Sequence, residues 1–566
     1  MSAIDFRAEL YHRLESWGNR VVLRILVLPS NSAVVELTGR EVITRSLELA
    51  ERYSSVPDRS VVLLLLPHSV ELFLLHIGLI LRGRLPAILA WPTSRVDREK
   101  YQRNVLHQLR NLPAAQLLTL PRLAESLDPG LPYLVTACPV SGAQQLEKKF
   151  NVELALEPVR KRLTAEAVGE TPEDALFLQF SGGTTGVQKC VVVTAAMLEP
   201  QLRLLAKALE FGVHDSIVNW LPMYHDMGLI ACLWLPLWFG APSLHFSAEH
   251  WLMRPGLLLE LMDRYHGTFC WLPNFAFSYL AGQREQITGT CSLGHVRGWI
   301  NCSEPVRERS MKSFVSAFSD WGVNPEQCQA SYAMAENVFA VTQTRLERHP
   351  ITVPRSQLRH RAALSKLTYV NLDEVYVSSG KTLEDMRVRI RRSDGDLCEE
   401  GEPGEIEIQT ECMFSGYWGN CGFEAQAITR DGWYSTGDYG FVSGEDLFVI
   451  GRVKDIVIVR GQNVFPEDVE TVVNTVSGVY AGRVVAFGVV DNKEGTENLA
   501  VVAEMRGEFQ PGRQESMERD IRGLVTAAIG VAPRFVKVVS ERWIPKSTAG
   551  KISRREARLR FFEDLP

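Results

Sequence analysis

Five stretches of the chain carry residue types at spacings that could do chemistry. The first is Phe180-Ser-Gly-Gly-Thr-Thr-Gly-Val-Gln-Lys189, set between two apolar runs, ALFLQF and CVVVT. Its glycines and hydroxyls make a loop rich in N–H and O–H donors that can wrap phosphate oxygens, with Lys189 adding a point charge. It lacks the GK[ST] ending of a Walker A loop, and a glycine-rich hairpin that holds nothing stays open as a reading. The second, Asn219-Trp-Leu-Pro-Met-Tyr-His-Asp-Met-Gly-Leu229, puts His225 at a turn among aromatics, either as a hydrogen-bonded core residue or as a pocket wall. The third pairs Ile300-Asn-Cys-Ser-Glu-Pro-Val306 with Ser331-Tyr-Ala-Met-Ala-Glu336, each at the end of a short apolar strand. In parallel α/β sheets ligands bind at the carboxyl ends of strands. A Tyr there can stack a base and a Glu can hold Mg2+; solvated loops are the plainer alternative. The fourth, Gly432-Trp-Tyr-Ser-Thr-Gly-Asp438, offers a carboxylate for the two hydroxyls of a ribose, and Arg452 after it suits a phosphate. In isolation Asp438 reads as a turn residue. The fifth, Pro545-Lys-Ser-Thr-Ala-Gly-Lys551, carries a lysine on a loop, which by itself reads as surface charge.

The elements around these stretches predict what positions them. Short buried strands are expected at Ser60 to Leu66, Ala241 to Phe246, Thr268 to Leu272 and Val296 to Asn301. Helices are expected at Val70 to Arg82, Glu199 to Glu210 and Arg254 to Tyr265. That alternation predicts an α/β domain with largely parallel sheets. From Met386 the runs RVRIRR, GEIEIQT and DLFVIGRVKDIVIVRG alternate strictly, with turns at Asp394-Gly395 and Pro403-Gly404, which predicts antiparallel hairpins. The tail has its own strands and helix in VVAFGVV, NLAVVAEM, ERDIRGLVTAAIG and FVKVVS, enough for a small α+β domain. The expected division is residues 1–451 and 452–566, with the boundary at Gly451 to Asp455. The polar segment Arg345 to Leu372, with Pro350 and Pro354, reads as a long loop.

The chain has 566 residues, a formal charge of −6, 46% hydrophobic and 23% charged residues. This is the balance of a globular protein, and it excludes disorder and collagen-like fibres. The mild acidity, with no basic block, argues against nucleic acid as a main partner. Ten cysteines form no CxxC pair and no zinc spacing, which suggests reduced, mostly buried thiols in a cytoplasmic protein. The N-terminus has no signal-peptide core, and the apolar stretch Val61 to Leu81 is interrupted by Pro67, His68, Glu71 and His76. It reads as a buried strand and helix, not a membrane span. Ile230 to Phe246 likewise reads as core.

Taken in this order, the five stretches resemble the core motifs of the ANL superfamily of adenylate-forming enzymes, from about Leu37 to Arg554. Within it, LPMYHDMGLI, LPNFAFSYL, NCSEPV and VNPEQCQASYAMAENVF are most similar to fatty acyl-AMP ligases, and the polar segment at Arg345 to Leu372 lies where those ligases carry an insertion. The resemblance implies a large N-terminal domain of layered α/β subdomains with a β-rich subdomain, followed by a small mobile α+β C-terminal domain. It implies ATP and Mg2+ as cofactors, a carboxylic acid as substrate, and the phosphopantetheine thiol of an acyl carrier protein as acceptor. Thr184, Thr185, Gly186 and Lys189 would grip the triphosphate. Ser303, Glu304 and Pro305 with Ser331, Tyr332 and Met334 would form the adenine and α-phosphate side. Glu336 with Thr185 would hold the metal, Asp438 the ribose and Arg452 would assist. Lys454 would be the hinge and Lys551 the mobile lysine that meets the carboxylate and α-phosphate. His225, Asn274 and Phe275 would line the acid pocket.

The implied reaction is attack of a carboxylate on the α-phosphorus, giving an acyl-adenylate and pyrophosphate. Two anions must meet, so clustered cations are required. Four positions depart from the common pattern: Gly182, Gln188, Cys190 and Ala333. Gly182 lacks a hydroxyl, worth about 1 kcal/mol of phosphate contact. Ala333 would be strained if its backbone needed a positive φ. Two alternatives follow, an acyl-CoA synthetase using free CoA and a non-adenylating, carrier-binding pseudo-enzyme.

Overall fold

The structure is a computed structural model that describes residues 2–27, 34–91, 105, 108–109, 114–126, 134–140, 172–180, 189–346, 348–355, 375–414, 416–418, 428–459, 462–491, 496–507, 511–546 and 552–564. It is a mixed α/β protein with a large N-terminal domain and a small C-terminal one. Two sheets build the large part. The first runs, edge to edge, Leu134–Ala137, Gln116–Thr119, Val61–Leu65, Leu85–Ile88, Ala175–Phe180 and Cys190–Thr194. Its first five strands are parallel and the last turns back antiparallel. Val61–Leu65 reads VVLLL and every residue is buried, as expected of a strand covered on both faces. Helix Val70–Leu81 follows, capped by the Ser69 side chain accepting from Leu72 N at 3.2 Å. The interrupted apolar stretch is thus a strand and a helix.

The second sheet has 13 strands. Its parallel centre is Val21–Leu26, Ser243–His245, Ile217–Asn219, Phe269–Leu272, Gly298–Asn301 and Cys328–Ala333. Beyond Cys328–Ala333 the pairing becomes antiparallel through Ala340–Gln343, Lys381–Thr382, Asp446–Arg452, Tyr434–Ser443, Gly404–Gln409 and Arg387–Arg391. The strict alternation after Met386 is therefore a hairpin meander, whose polar face is partly closed by the buried Glu407 between Arg389 at 2.6 Å and Arg391 at 2.9 Å. Only one expected turn stands. Gly395 has φ +99°, but Pro403-Gly404 opens the next strand, where Gly404 pairs with Gly440.

One helix starts earlier than its sequence suggests, at Ala195 instead of Glu199, and runs through Pro200. Asp174 explains this. Its backbone carbonyl takes Ala195 N at 2.8 Å and its carboxylate takes Ala196 N at 3.4 Å, so the cap comes from a distant segment.

The C-terminal sheet pairs Val479–Asp491 antiparallel with Thr496–Met505, which lies parallel to Phe535–Val539. Alternate residues serve opposite faces. Val484, Ala486, Val501 and Ala503 pack with Val469, Ile521 and Val525 of the helices Pro466–Val473 and Pro511–Ile529. Val485, Phe487, Ala500 and Val502 pack with Ala557 and Phe561 of helix Arg554–Glu563. No helix among the described residues is long and apolar enough to cross a membrane.

Candidate active site

The glycine-rich stretch joins two neighbouring antiparallel strands, in which Phe180 stands opposite Cys190. Residues 181–188 lie outside the described residues, and with them Thr184, Thr185, Gly186 and the departures Gly182 and Gln188. Lys189 is described. Burial lowers the pKa of its ammonium, and the carboxylate of Glu336 works in the opposite direction. The departure at Cys190 is buried within the strand, packed with Phe180 and Val192.

Glu336 sits in a 3-10 turn, Ala335–Asn337, between Cys328–Ala333 and Ala340–Gln343. Its Oε1 accepts the Tyr417 hydroxyl at 2.7 Å, and its backbone carbonyl accepts Phe414 N at 2.7 Å. The next turn is strained. Val338 has φ +61° and ψ −53°, and Phe339 N donates to Asn337 O across it at 2.6 Å. A β-branched residue there costs on the order of 1–3 kcal/mol. The buried Asn337 side chain over-determines it, donating to Ala340 O at 2.8 Å and accepting the Thr410 hydroxyl at 2.6 Å. Ala333, by contrast, lies in the strand Cys328–Ala333 paired with Ala340, outside the left-handed region, so its methyl group is accommodated.

Asp438 and Arg452 face each other across two antiparallel strands. Arg452 Nε meets Asp438 Oδ1 at 3.2 Å, and the Tyr332 hydroxyl donates to Asp438 Oδ2 at 2.6 Å. The carboxylate raises the Arg452 pKa above its ordinary value. Burial, then the Asp438 charge, pushes the Tyr332 phenol well up, so it stays a donor. Tyr434 connects the two groups. Its hydroxyl lies 3.4 Å from that of Tyr417, and burial, then Glu336 and further on Asp438, raise its pKa. Lys189, Glu336, Tyr332, Asp438 and Arg452 are therefore brought together, and Tyr417 and Tyr434 are the residues the sequence did not single out. The signal for Tyr417 was its place in Gly416-Tyr-Trp-Gly419, an aromatic pair between glycines.

Other expected residues serve the frame. The Asn274 amide donates to Ser310 Oγ at 3.1 Å, and its Oδ1 accepts from Asn301 Nδ2 and Arg307 N at 3.0 Å each. Glu304 Oε2 accepts Phe275 N at 2.9 Å and caps the helix Asn274–Gly282. The Ser331 hydroxyl donates to Thr342 O at 2.7 Å inside the sheet. Ser303 has φ +74°, a second strained position. Pro305 follows Glu304, partly exposed, and Met334 N donates to Phe339 O at 2.9 Å. His225 precedes a π-helix, Met227–Trp234, a form frequent at functional sites. Gly228 fits there because a Cβ would stand 2.3 Å from Pro222 O. Lys454 is exposed in the 3-10 turn Val453–Asp455 that leads to the C-terminal domain. Lys551 lies outside the described residues.

A cleft opens at Tyr224, lined by Leu66, Ile88, Trp220, Tyr224, Phe246 and His250 among others. Trp220 stacks on Trp251 with ring centroids 4.0 Å apart, and Phe275 meets both edge-on. The donor set fits a hard dication. Glu336 supplies a carboxylate, and no group of three or more His, Cys, Asp or Glu is gathered for a metal among the described residues. One carboxylate plus substrate phosphates is how Mg2+ is commonly held.

The family model described as AMP-binding enzyme matches residues 11–418, and that described as AMP-binding enzyme C-terminal domain matches residues 461–555. A relative from Mycobacterium tuberculosis, named a probable long-chain-fatty-acid–AMP ligase, FadD30, is 31% identical over 406 residues, covering 67% of this chain and 68% of the relative. The long-chain-fatty-acid–AMP ligase FadD32 of Mycolicibacterium smegmatis is 27% identical over 630 residues, covering 97% and 94%. A solved structure from work on fatty acyl-adenylate ligases from E. coli and L. pneumophila has a similar fold, with a TM-score of 0.79 at 20% identity, covering 99% of this chain and 97% of that one. The chain belongs to the AMP-binding enzyme family.

Proposed function

We propose that the protein activates a carboxylic acid with ATP and passes the acyl group to the phosphopantetheine thiol of an acyl carrier protein, in the assembly of polyketides or peptides. The observation that carries this reading is that Lys189 and Glu336 are joined through Tyr417 and Tyr434 toward the Tyr332–Asp438–Arg452 set. The acid's carboxylate oxygen attacks the α-phosphorus. A P–O bond forms, the bond to the β-phosphate oxygen breaks, and pyrophosphate leaves with the electron pair. Positioning and charge neutralisation do most of such work. In this reading Thr184, Thr185, Gly186 and Lys189 hold the polyphosphate, and Asp438 takes the ribose hydroxyls. Arg452 faces the Asp438 carboxylate and steadies its position, and Lys551 enters from the C-terminal domain, residues 452–566, turning about Lys454. Mg2+ held by Glu336 and Thr185 neutralises phosphate charge when bound. His225 and Phe275 face the acid, whose apolar tail takes the cleft walled by Trp220, against which Phe275 packs. The setting is cytoplasmic.

The deciding experiment supplies ATP with a panel of acids, measures pyrophosphate, and then records the intact mass of a phosphopantetheinylated carrier. Acid-dependent pyrophosphate with a mass gain equal to the acyl group is expected. No pyrophosphate with any acid leaves the chain as a carrier-binding relative without adenylation. Consumption of free CoA in place of carrier loading makes it an acyl-CoA synthetase.

A further inference from the structure

Tyr417 stands between two charged groups, Glu336 and Lys189. Its hydroxyl donates to Glu336 Oε1 at 2.7 Å, while the Lys189 ammonium lies 4.5 Å from its ring centroid, over the face. The residue is thus a hydrogen-bond donor to an anion at one end and a π-acceptor to a cation at its side. Its backbone is fixed too. Tyr417 bridges antiparallel to Val191, and Trp418 N donates to Cys190 O at 2.7 Å. Phe414, three residues earlier, donates to the backbone carbonyl of Glu336. One short segment is therefore tied both to the strand that follows the glycine-rich loop and to the turn that carries Glu336. Those two pieces belong to different sheets, and this segment links them.

We infer that Tyr417 is a positioning residue for the reaction: it sets Glu336 and Lys189 in register, so that the carboxylate and the ammonium address one metal–polyphosphate group. The inference rests on the adenylate-forming reading and adds a residue to it.

The test uses the whole chain with Mn2+ as the metal probe and a non-hydrolysable ATP analogue, read by electron paramagnetic resonance and calorimetry. Tyr417→Phe keeps the ring over Lys189 and removes only the hydroxyl. The expected result is about tenfold weaker Mn2+ binding in the nucleotide complex, with the acid KM and the melting temperature unchanged. In a Glu336→Gln background the same substitution adds little further loss, because the two act as one unit. Tyr417→Leu weakens binding of the analogue without metal as well, since it removes the ring that Lys189 faces. Mn2+ affinity within twofold of the parent in Tyr417→Phe, or losses that simply add with Glu336→Gln, overturns the inference and leaves the adenylating reading intact. A parent chain that binds no nucleotide overturns both.

Discussion

Arg355 of the large domain grips Asp468 of the C-terminal domain with two hydrogen bonds, Nη1 to Oδ2 at 2.8 Å and Nη2 to Oδ1 at 3.1 Å. Arg355 is 0% exposed and lies 4.3 Å over the Tyr376 ring, and Arg307 Nη1 reaches the same carboxylate at 3.2 Å. Removing one partner of a buried ion pair typically costs about 3–5 kcal/mol, because the remaining charge loses its counter-charge. Asp468→Ala should therefore lower the first thermal transition and expose the inter-domain link to protease, with Asp468→Asn falling between it and the parent. Calorimetry and timed proteolysis check this. A melt equal to the parent's would show that the contact holds nothing.

The 2.6 Å bond from Tyr332 to Asp438 makes a prediction at the nucleotide. Tyr332→Phe leaves the ring in place and takes one donor from the carboxylate. ATP affinity should fall about five- to tenfold, with acid affinity untouched. Asp438→Asn should cost more, since it also removes the charge that Arg452 faces. Titration calorimetry with ATP distinguishes the two, and equal affinities in all three chains would contradict the assignment.

Stability should depend on pH through histidines that play no part in catalysis. His76 is buried against Trp234 and Phe177, and burial pushes its pKa down to about 3. His245, engaged by Asn219 Nδ2 at 3.1 Å and Ser243 Oγ at 3.0 Å, is also pushed well below its ordinary value by burial. Unfolded, both titrate near 6.5. Above that pH both are neutral in either state and contribute no slope. Below it the unfolded chain takes up protons that the folded chain refuses, so stability falls as pH falls, by about 1.4 kcal/mol per pH unit for each histidine. Urea unfolding between pH 6.5 and 5 measures the slope, and His76→Leu should reduce it by about 1.4 kcal/mol per unit. A flat profile in the parent over that interval would rule this out.

The acid cleft should widen on loss of the indole that walls it. Trp220→Ala removes the ring stacked on Trp251, and acids bulkier by about one aromatic ring should then support pyrophosphate release that the parent does not. An unchanged ranking across the acid panel would show that the tail lies elsewhere.

The strands and helices that hold the site were legible where burial follows a simple period. VVLLL could only be a doubly covered strand, and the run from Met386 could only alternate. What escaped were features fixed by distant partners. The helix at Ala195 begins where it does because of Asp174, and the π-helical turns after His225 leave no periodic mark. Among site residues, Lys189, Glu336, Asp438 and Arg452 were named because five motifs together resembled adenylate-forming enzymes, whereas Asp438 alone read as a turn residue. Tyr417 was not, because a tyrosine beside a tryptophan reads as packing until its hydroxyl is seen on Glu336. Asn274 and Glu304 were taken as ligand-facing, whereas the structure engages them in capping and tying strand ends, a role polar side chains there fill equally well.

The division of labour between the two large sheets has a mechanical consequence. Tyr332, Asp438 and Arg452 ride on a single 13-stranded sheet, while Lys189 belongs to the six-stranded one. Glu336 stands on a turn of the larger sheet, so a slide of one layer over the other would part it from Lys189, and the ties of Phe414, Tyr417 and Trp418 oppose that slide.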